Sequence, residues 1–337
     1  TGDKKILENI QQWVDNAAKS QHNDAWSGRG GALAGYGAGH LNAGGTHVLT
    51  FLLLAKECGA NVPDHTLHGA LRHFYRYAGR GNNPYGDHRP FNGFVDNGKN
   101  GLLAIAMAAA AALTPDGEDS LYAKARDICA MFSFYSTTYM LHGHTGGGIG
   151  EIWRSAAMGL LHDKKPGQYR EFMDNRKWHY DLSRRWDGSF GILQGADYDK
   201  EEWGMAYTLA YTMPRKTLRI SGAPRSKFSK PYQLPKQPWG TEADNAFLLF
   251  DAVPDKDGNK QDLSGETLAR DASKPFIARF NGKDQPSDDE IRKYIHHTEF
   301  SIRKLAALKV LGFNFRKPHG GKLRPHLVME FLQHKDP

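Results

Sequence analysis

The sequence predicts an all-α fold, an α/α toroid of repeated helical hairpins crossed by a long Pro-rich irregular strap. Three observations predict it. Four segments repeat one design, apolar helices alternate with amphipathic ones, and prolines crowd into one stretch. The 337 residues are read as one toroid domain over 1–337, with the irregular strap at 214–289 inside it.

Each repeat opens on a turn rich in Gly or in Asn, Gly and Thr, and runs into a helix of small and apolar residues. The four begin at Asn42-Ala-Gly-Gly-Thr-His, Asn97-Gly-Lys-Asn-Gly, Thr145-Gly-Gly-Gly-Ile-Gly and Glu201-Glu-Trp-Gly-Met-Ala. Aligning Gly45, Gly101, Gly150 and Gly204 gives spacings of 56, 49 and 54 residues. A fifth copy is expected near His297-Thr-Glu-Phe-Ser-Ile. Between these lie more polar helices, expected at Asp64–Ala78, Ser120–Tyr139 and Tyr169–Trp186. In the first, Asp64 is expected to cap the helix, and Leu67, Ala70, Leu71 and Phe74 share one face. A helix apolar all round must be buried, and an amphipathic one covers it. Repetition at about 50 residues then gives an inner ring of helices inside an outer ring.

Eight of the 16 prolines lie between Pro214 and Pro286. The run Lys230-Pro-Tyr-Gln-Leu-Pro-Lys-Gln-Pro-Trp239 reads as extended chain, and a short hairpin is expected at Lys256-Asp-Gly-Asn.

Composition narrows the function classes. A net charge of +7 is mild, and no RNP motif, zinc-finger spacing or basic heptad helix accompanies it, so nucleic acid is not an expected partner. The longest apolar run, Leu102 to Leu113, is too short to span a membrane, which takes about 20 residues. Two cysteines make no disulfide scaffold; Cys58 and Cys129, both in apolar helical runs, are expected to be buried. Gly28–Gly45 holds eight glycines, yet no βαβ unit surrounds them and no GK[ST] follows, so a backbone-lined rim explains them better than a nucleotide. The chain opens at Thr1 without Met or an export signal, and is expected to be a trimmed part of a longer multidomain protein working in the periplasm or outside the cell.

Two motifs carry a resemblance. Phe134-Tyr-Ser-Thr-Thr-Tyr-Met-Leu-His-Gly-His-Thr-Gly-Gly-Gly-Ile-Gly-Glu-Ile-Trp-Arg-Ser-Ala-Ala-Met-Gly-Leu is the first. Arg184-Arg-Trp-Asp-Gly-Ser-Phe-Gly, followed by Trp203-Gly and Tyr211-Thr-Met-Pro-Arg-Lys-Thr-Leu-Arg, is the second. Together, over about Gly35 to Pro238, they resemble a bacterial family of uncharacterised proteins, a domain of unknown function with an α/α-toroid fold. That fold implies kinship with six-hairpin glycosidases, polysaccharide lyases and the terpenoid cyclase/prenyltransferase toroids. Asp187-Gly-Ser-Phe-Gly is similar to the Asp-Gly-Ser-Trp-Gly turn of the cyclase repeats. The family brings no established activity, so no catalytic role is carried over, and fold analogy alone does not assign function.

The candidate chemistry sits at the helix starts, where unpaired N–H groups and glycines let a ligand approach the backbone. Tyr139, His142, His144, Glu151 and Arg154 form the densest set. In a β-elimination from a uronic-acid sugar, Arg154 neutralises the carboxylate, a histidine takes the C5 proton and Tyr139 protonates the leaving oxygen. The plainer account is an internal Glu151–Arg154 ion pair with hydrogen-bonded turn histidines. Glycoside hydrolysis needs two facing carboxylates, for which Asp96, Asp187 and Glu202 are the candidates beside Glu151; acids at helix starts are also simply favourable to the helix. His47, Asn97, Trp153, Trp186 and Trp203 are the candidate substrate contacts, aromatic faces suiting sugar rings and cores equally. The spacings His142-x-His144 and His65-x-x-His68, and the pair His296-His297, lack an HExxH motif, and neither a metal nor another cofactor is expected. The expectation is a domain that cleaves a polysaccharide by hydrolysis or elimination. The alternatives are a non-catalytic carbohydrate- or peptide-binding domain and a cyclase- or prenyltransferase-like protein, which would need a deep apolar cavity.

Overall fold

A computed structural model describes residues 3–28, 38–87, 94, 99–136, 149–191, 204–237, 285–297, 300–313 and 321–333. The described residues hold eleven α-helices, 3-10 turns and isolated bridges, but no strand. We number the helices α1 Lys4–Ser20, α2 Asn42–Cys58, α3 Asp64–Ala78, α4 Lys99–Ala111, α5 Leu121–Tyr135, α6 Ile149–Leu160, α7 Pro166–Ser183, α8 Gly204–Thr212, α9 Asp288–Tyr294, α10 Phe300–Val310 and α11 Pro325–Leu332. None of them is long and apolar enough to cross a membrane.

Local chemistry sets several boundaries. The Asp3 carboxylate accepts from the Lys5 amide at the start of α1, and Ser120 accepts from Ala123 N at the start of α5, each satisfying a donor the helix leaves open. Pro166 and Pro325 start α7 and α11, where a missing N–H costs nothing. Gly59, at φ +91°, closes α2 in the left-handed region. Asp64 does not cap α3: Pro63 holds that position, and the Asp64 carboxylate turns instead to Lys56 Nζ at 2.8 Å.

Alternate helices lie side by side in the packing. α4 is buried from end to end except for Ala108 and Ala109, and it packs against α2, α5 and α6, while α6 continues to α8. α2, α4, α6 and α8 are therefore neighbours in a row, each separated in sequence by one of α3, α5 and α7. The shared core gathers Leu49, Leu52 and Leu53 of α2, Leu67, Leu71 and Phe74 of α3, Leu103 and Met107 of α4, and Ile128 and Phe132 of α5. Cys129 lies within it, but Cys58 is exposed. That thiol is the last residue of α2, beyond the apolar face and next to the Gly59 turn.

After α8 the chain forms 3-10 turns at Met213–Arg215 and Arg219–Ser221 and then runs without regular structure to residue 237. This segment is fastened across helix ends. Lys230 N donates to Glu57 O (2.8 Å), Arg219 and Ser229 reach the buried Glu57 carboxylate, and Tyr122 Oη donates to Pro235 O (3.1 Å). The region around Lys256 lies outside the described residues. Helices α9 to α11 carry two small apolar clusters of their own, Tyr294 with Ile302 and Ala306, and Ile291 with Val310 and Leu327.

Candidate functional site

Helix starts converge where the repeat placed its glycines. Gly101 on α4 lies so close to α6 that a methyl group there would stand 2.7 Å from the Arg154 amide nitrogen and closer still to the Trp153 carbonyl. His47, on the first turns of α2, sets its ring 5.9 Å from that of Trp153, edge to face. Crowding by the protein lowers the His47 pKa, and the nearby Lys99 ammonium pushes the same way against its bond to Ala43 O.

The chain leaving α3 threads this junction. Asn83 N donates to Asn100 Oδ1 (2.6 Å) and Asn83 Nδ2 to Thr46 Oγ1 (3.0 Å). Ala43 N and Asn42 Nδ2 then donate to Tyr85 O and Gly86 O, each at 3.0 Å. These bonds satisfy backbone groups that would otherwise be costly to bury, and they deliver Asp87, 3% exposed, beneath the loop before α2. Asp87 Oδ2 accepts from Ala38 N at 2.6 Å and His40 N at 3.3 Å, and His40 Nδ1 is 3.2 Å away. Burial works to raise the Asp87 pKa, but the His40 ring and the two amides outweigh it and hold the carboxyl below its ordinary range. Its other oxygen, Oδ1, is buried without a partner among the described residues.

A row of imidazoles completes the wall. The His22 and His40 rings are 4.7 Å apart, and the His40 and His73 rings 5.1 Å. His40 Nε2 donates to His22 O (2.9 Å). His73 Nε2 is 3.0 Å from Asn42 Oδ1. Because Asn42 Nδ2 already donates to Gly86 O, its Oδ1 is the acceptor, which assigns the proton to His73 Nε2 and the lone pair to Nδ1. Desolvation, with the charges of His40, Arg303 and Arg76 behind it, pushes the His73 pKa well below 6.5, so the ring is neutral at pH 7.

These groups line a cleft of about 780 Å³, closed on other sides by Asp24, His65, Arg72, Arg76, Tyr77 and Arg303. Asn23 and Asp24 sit at φ +46° and +70°, a conformation short polar side chains tolerate, and this turn points Asp24 at Arg72. The Arg72 guanidinium grips it through two bonds, 2.7 and 2.8 Å. Three arginines against two aspartates, beside four histidines, make the cleft polar and favourable to an anion. A second cavity of about 430 Å³ lies near the C-terminal end of α4, with alanines on one wall and the ion pairs Arg126–Glu118 and Lys216–Asp163 on another.

Of the residues singled out in the sequence, Asp96, Asn97, Tyr139, His142, His144, Glu202 and Trp203 lie outside the described residues. Glu151 falls in the first turn of α6, and Arg154, one turn on, is fully buried. Asp187 stands in an exposed turn, accepting from Ser189 N and Oγ at 2.9 and 2.7 Å, and these bonds lower its pKa. Trp186 beside it is 98% exposed. Among the described residues, the candidates His47 and Trp153 are brought into contact. His65 faces the cleft while His68 turns to Tyr232 Oη (3.3 Å), so that pair is divided. No group of three potential ligands with metal-binding geometry occurs among the described residues. Sequence reading missed His22, His40, His73 and Asp87. The available signal was α3 itself, whose polar side carries His65, Arg72, His73 and Arg76, more chemistry than a covering helix needs.

A family model described as "Domain of unknown function (DUF6288)" matches residues 1–222. No curated protein and no solved structure matches the chain.

Proposed function

The chain belongs to the DUF6288 family, and we propose that it is a carbohydrate-active α/α-toroid domain that cleaves an acidic polysaccharide by β-elimination in the histidine–arginine cleft. The observation that carries this reading is the pairing of a neutral His73, whose lone pair the bond to Asn42 assigns to Nδ1, with Arg76 and Arg303 in one polar cleft. The row α2–α4–α6–α8 supports the toroid, and a volume within the ~300–1,000 Å³ of ligand pockets suits a short run of sugar rings.

In this mechanism the arginines neutralise the uronate carboxylate, which makes the neighbouring C5 proton acidic. His73 Nδ1 takes that proton. The released electron pair forms the C4–C5 double bond, the C4–O bond breaks, and Tyr77 gives the leaving oxygen a proton. The Tyr77 ring is 5.5 Å from that of His73. Both described carboxylates of the cleft are engaged, Asp24 by Arg72 and Asp87 by His40 and two amides, and Asp87 is held too acidic to serve as a proton donor. This favours elimination over hydrolysis, for which Asp96 and Glu202 would be needed. The polar lining also argues against a cyclase-like cavity. A polysaccharide substrate would place the protein in the periplasm or outside the cell, within a longer secreted chain.

The test is mass spectrometry of products from uronic-acid and neutral polysaccharides. Elimination gives fragments with an unsaturated end and no added water, from the acidic substrates only. Fragments that have gained water would assign hydrolysis, and binding without fragments would assign a binding domain.

A further inference from the structure

One group of aromatic side chains lies outside both the core and the cleft. Trp178 and Leu182 are exposed on α7, and a spacing of four residues sets them one above the other on the same side of the helix. Four residues further on, Trp186 is 98% exposed. Tyr211 of α8, also exposed, stands beside α7 with its ring 5.3 Å from that of Tyr180. None of the four lines the cleft. A stiff turn holds Trp186 out. Arg185 N donates to Ser189 O (2.8 Å), Gly188 N to Arg185 O (3.0 Å) and Gly191 N to Ser183 O (2.8 Å). The Asp187 carboxylate adds its two bonds to Ser189, and Gly188 supplies the φ of +84° that the turn requires. The backbone is thus fixed, while the indole it carries gives the fold almost no burial. Single exposed apolar side chains are ordinary, but a group of them marks a contact surface.

We propose that Trp178, Trp186 and Tyr211 form a platform on which a polysaccharide strand stacks, apart from the stretch that enters the cleft. The proposal rests on the carbohydrate reading and adds a second binding surface to it. The charged neighbours decide the occupant. Exposed Lys177, Asp181 and Arg184 are interleaved with the rings along the chain. Burial raises the Tyr211 pKa and the Asp181 carboxylate adds to the rise, which sets that acid beside the Tyr211 ring. A protein interface keeps charge out of its core, and carboxylates here oppose an anionic membrane. A sugar suits the mixture. Its apolar ring face lies flat on an indole or phenol ring, and its hydroxyls, donors and acceptors at once, bond to side chains of either sign.

The experiment is calorimetric titration of the full chain with a polyuronate and with a tri-uronate, in a His73→Gln background so that the polymer is not consumed. Trp186→Ala is expected to weaken polymer binding about 3- to 10-fold, the loss of one aromatic contact. It also narrows the advantage of polymer over tri-uronate, which comes from one strand reaching both surfaces. Trp186→Leu, apolar but without a ring, binds like Trp186→Ala, whereas Trp186→Tyr recovers part of the loss. Trp13→Ala, which removes an exposed tryptophan of α1, leaves polymer binding unchanged. Polymer binding that Trp186→Ala leaves intact, or that Trp186→Leu restores, overturns this inference alone. Self-association that Trp186→Ala abolishes, with polymer binding unchanged, assigns the face to a second copy of the chain instead. Polymer held through Trp186 that the His73 chain never cleaves overturns the elimination and leaves this inference standing. A chain that binds neither sugar overturns the carbohydrate reading and this inference with it.

Discussion

Substituting Gly101 by Ala tests the geometry on which the site depends. In an isolated helix the change is favourable by about 1 kcal/mol, because Ala loses less backbone entropy than Gly. Here the new methyl would stand 2.7 Å from Arg154 N, about 0.7 Å inside the 3.4 Å at which ordinary contact begins, and closer to the Trp153 carbonyl. Both are backbone atoms of α6, so no rotamer change relieves the overlap and the two helices must part. Overpacking of this kind costs about 1–3 kcal/mol, and rigid backbone on the opposing side puts it at the upper end. The expected net effect is a loss of about 1–2 kcal/mol in urea denaturation, the clash outweighing the propensity gain. Parting α4 from α6 also shifts Asn100, which holds Asn83 and through that segment Asp87, so ligand affinity should fall as well. Gly167→Ala is the control: its methyl meets nothing within 4 Å in the first turn of α7, and that variant should be neutral or slightly more stable. A Gly101→Ala protein at least as stable as wild type would refute backbone contact between α4 and α6.

The His73 pKa is depressed in the folded chain, so below pH 6.5 the unfolded chain takes up a proton that the native state resists, and stability falls as pH drops. His73→Gln should flatten that slope in pH-dependent denaturation and abolish product formation while tri-uronate still binds. The Arg126 and Lys164 partners hold the Glu118 carboxyl down at about 2. Its contribution is present above the ordinary 4.5 and lost as pH falls towards 2, and Glu118→Gln should cost about 1 kcal/mol once solvent screening is allowed for, less in high salt. Tyr122→Phe removes the bond to Pro235 O and should cost about 1 kcal/mol. Glu57→Ala removes the acceptor of Arg219 and Ser229 and should speed proteolysis between residues 225 and 236, with hydrogen exchange as the second readout.

The helical plan was legible because the repeat states it twice, in glycine spacing and in the alternation of apolar with amphipathic segments. Helices α2, α4, α6 and α8 begin within a few residues of the aligned glycines. Boundaries were less legible: α5 stops at Tyr135 rather than 139, and α7 spans Pro166–Ser183 rather than 169–186. Proline at N1 starts α7, and the turn at Arg184–Gly188 replaces its expected end. The cleft was the least legible part. His22, His40, His73, Asp87 and Arg303 are scattered over 282 residues, and none stands in a motif. They meet because Asn42, Thr46, Asn83 and Asn100 stitch the segment after α3 between two helix starts, a buried polar network with no sequence period. Cys58 shows the same limit from the other side, since an apolar neighbourhood in sequence did not decide which way one side chain faced.

The most direct measurement follows the histidine ring signals by NMR during titration with a tri-uronate. If the acidic sugar occupies the cleft, the His22, His40 and His73 signals shift together in one saturable transition. His162 and His326, paired with Asp163 and Asp288 away from that cleft, stay in place. Saturable binding that leaves His22, His40 and His73 unmoved would contradict the account and send the search to another part of the surface.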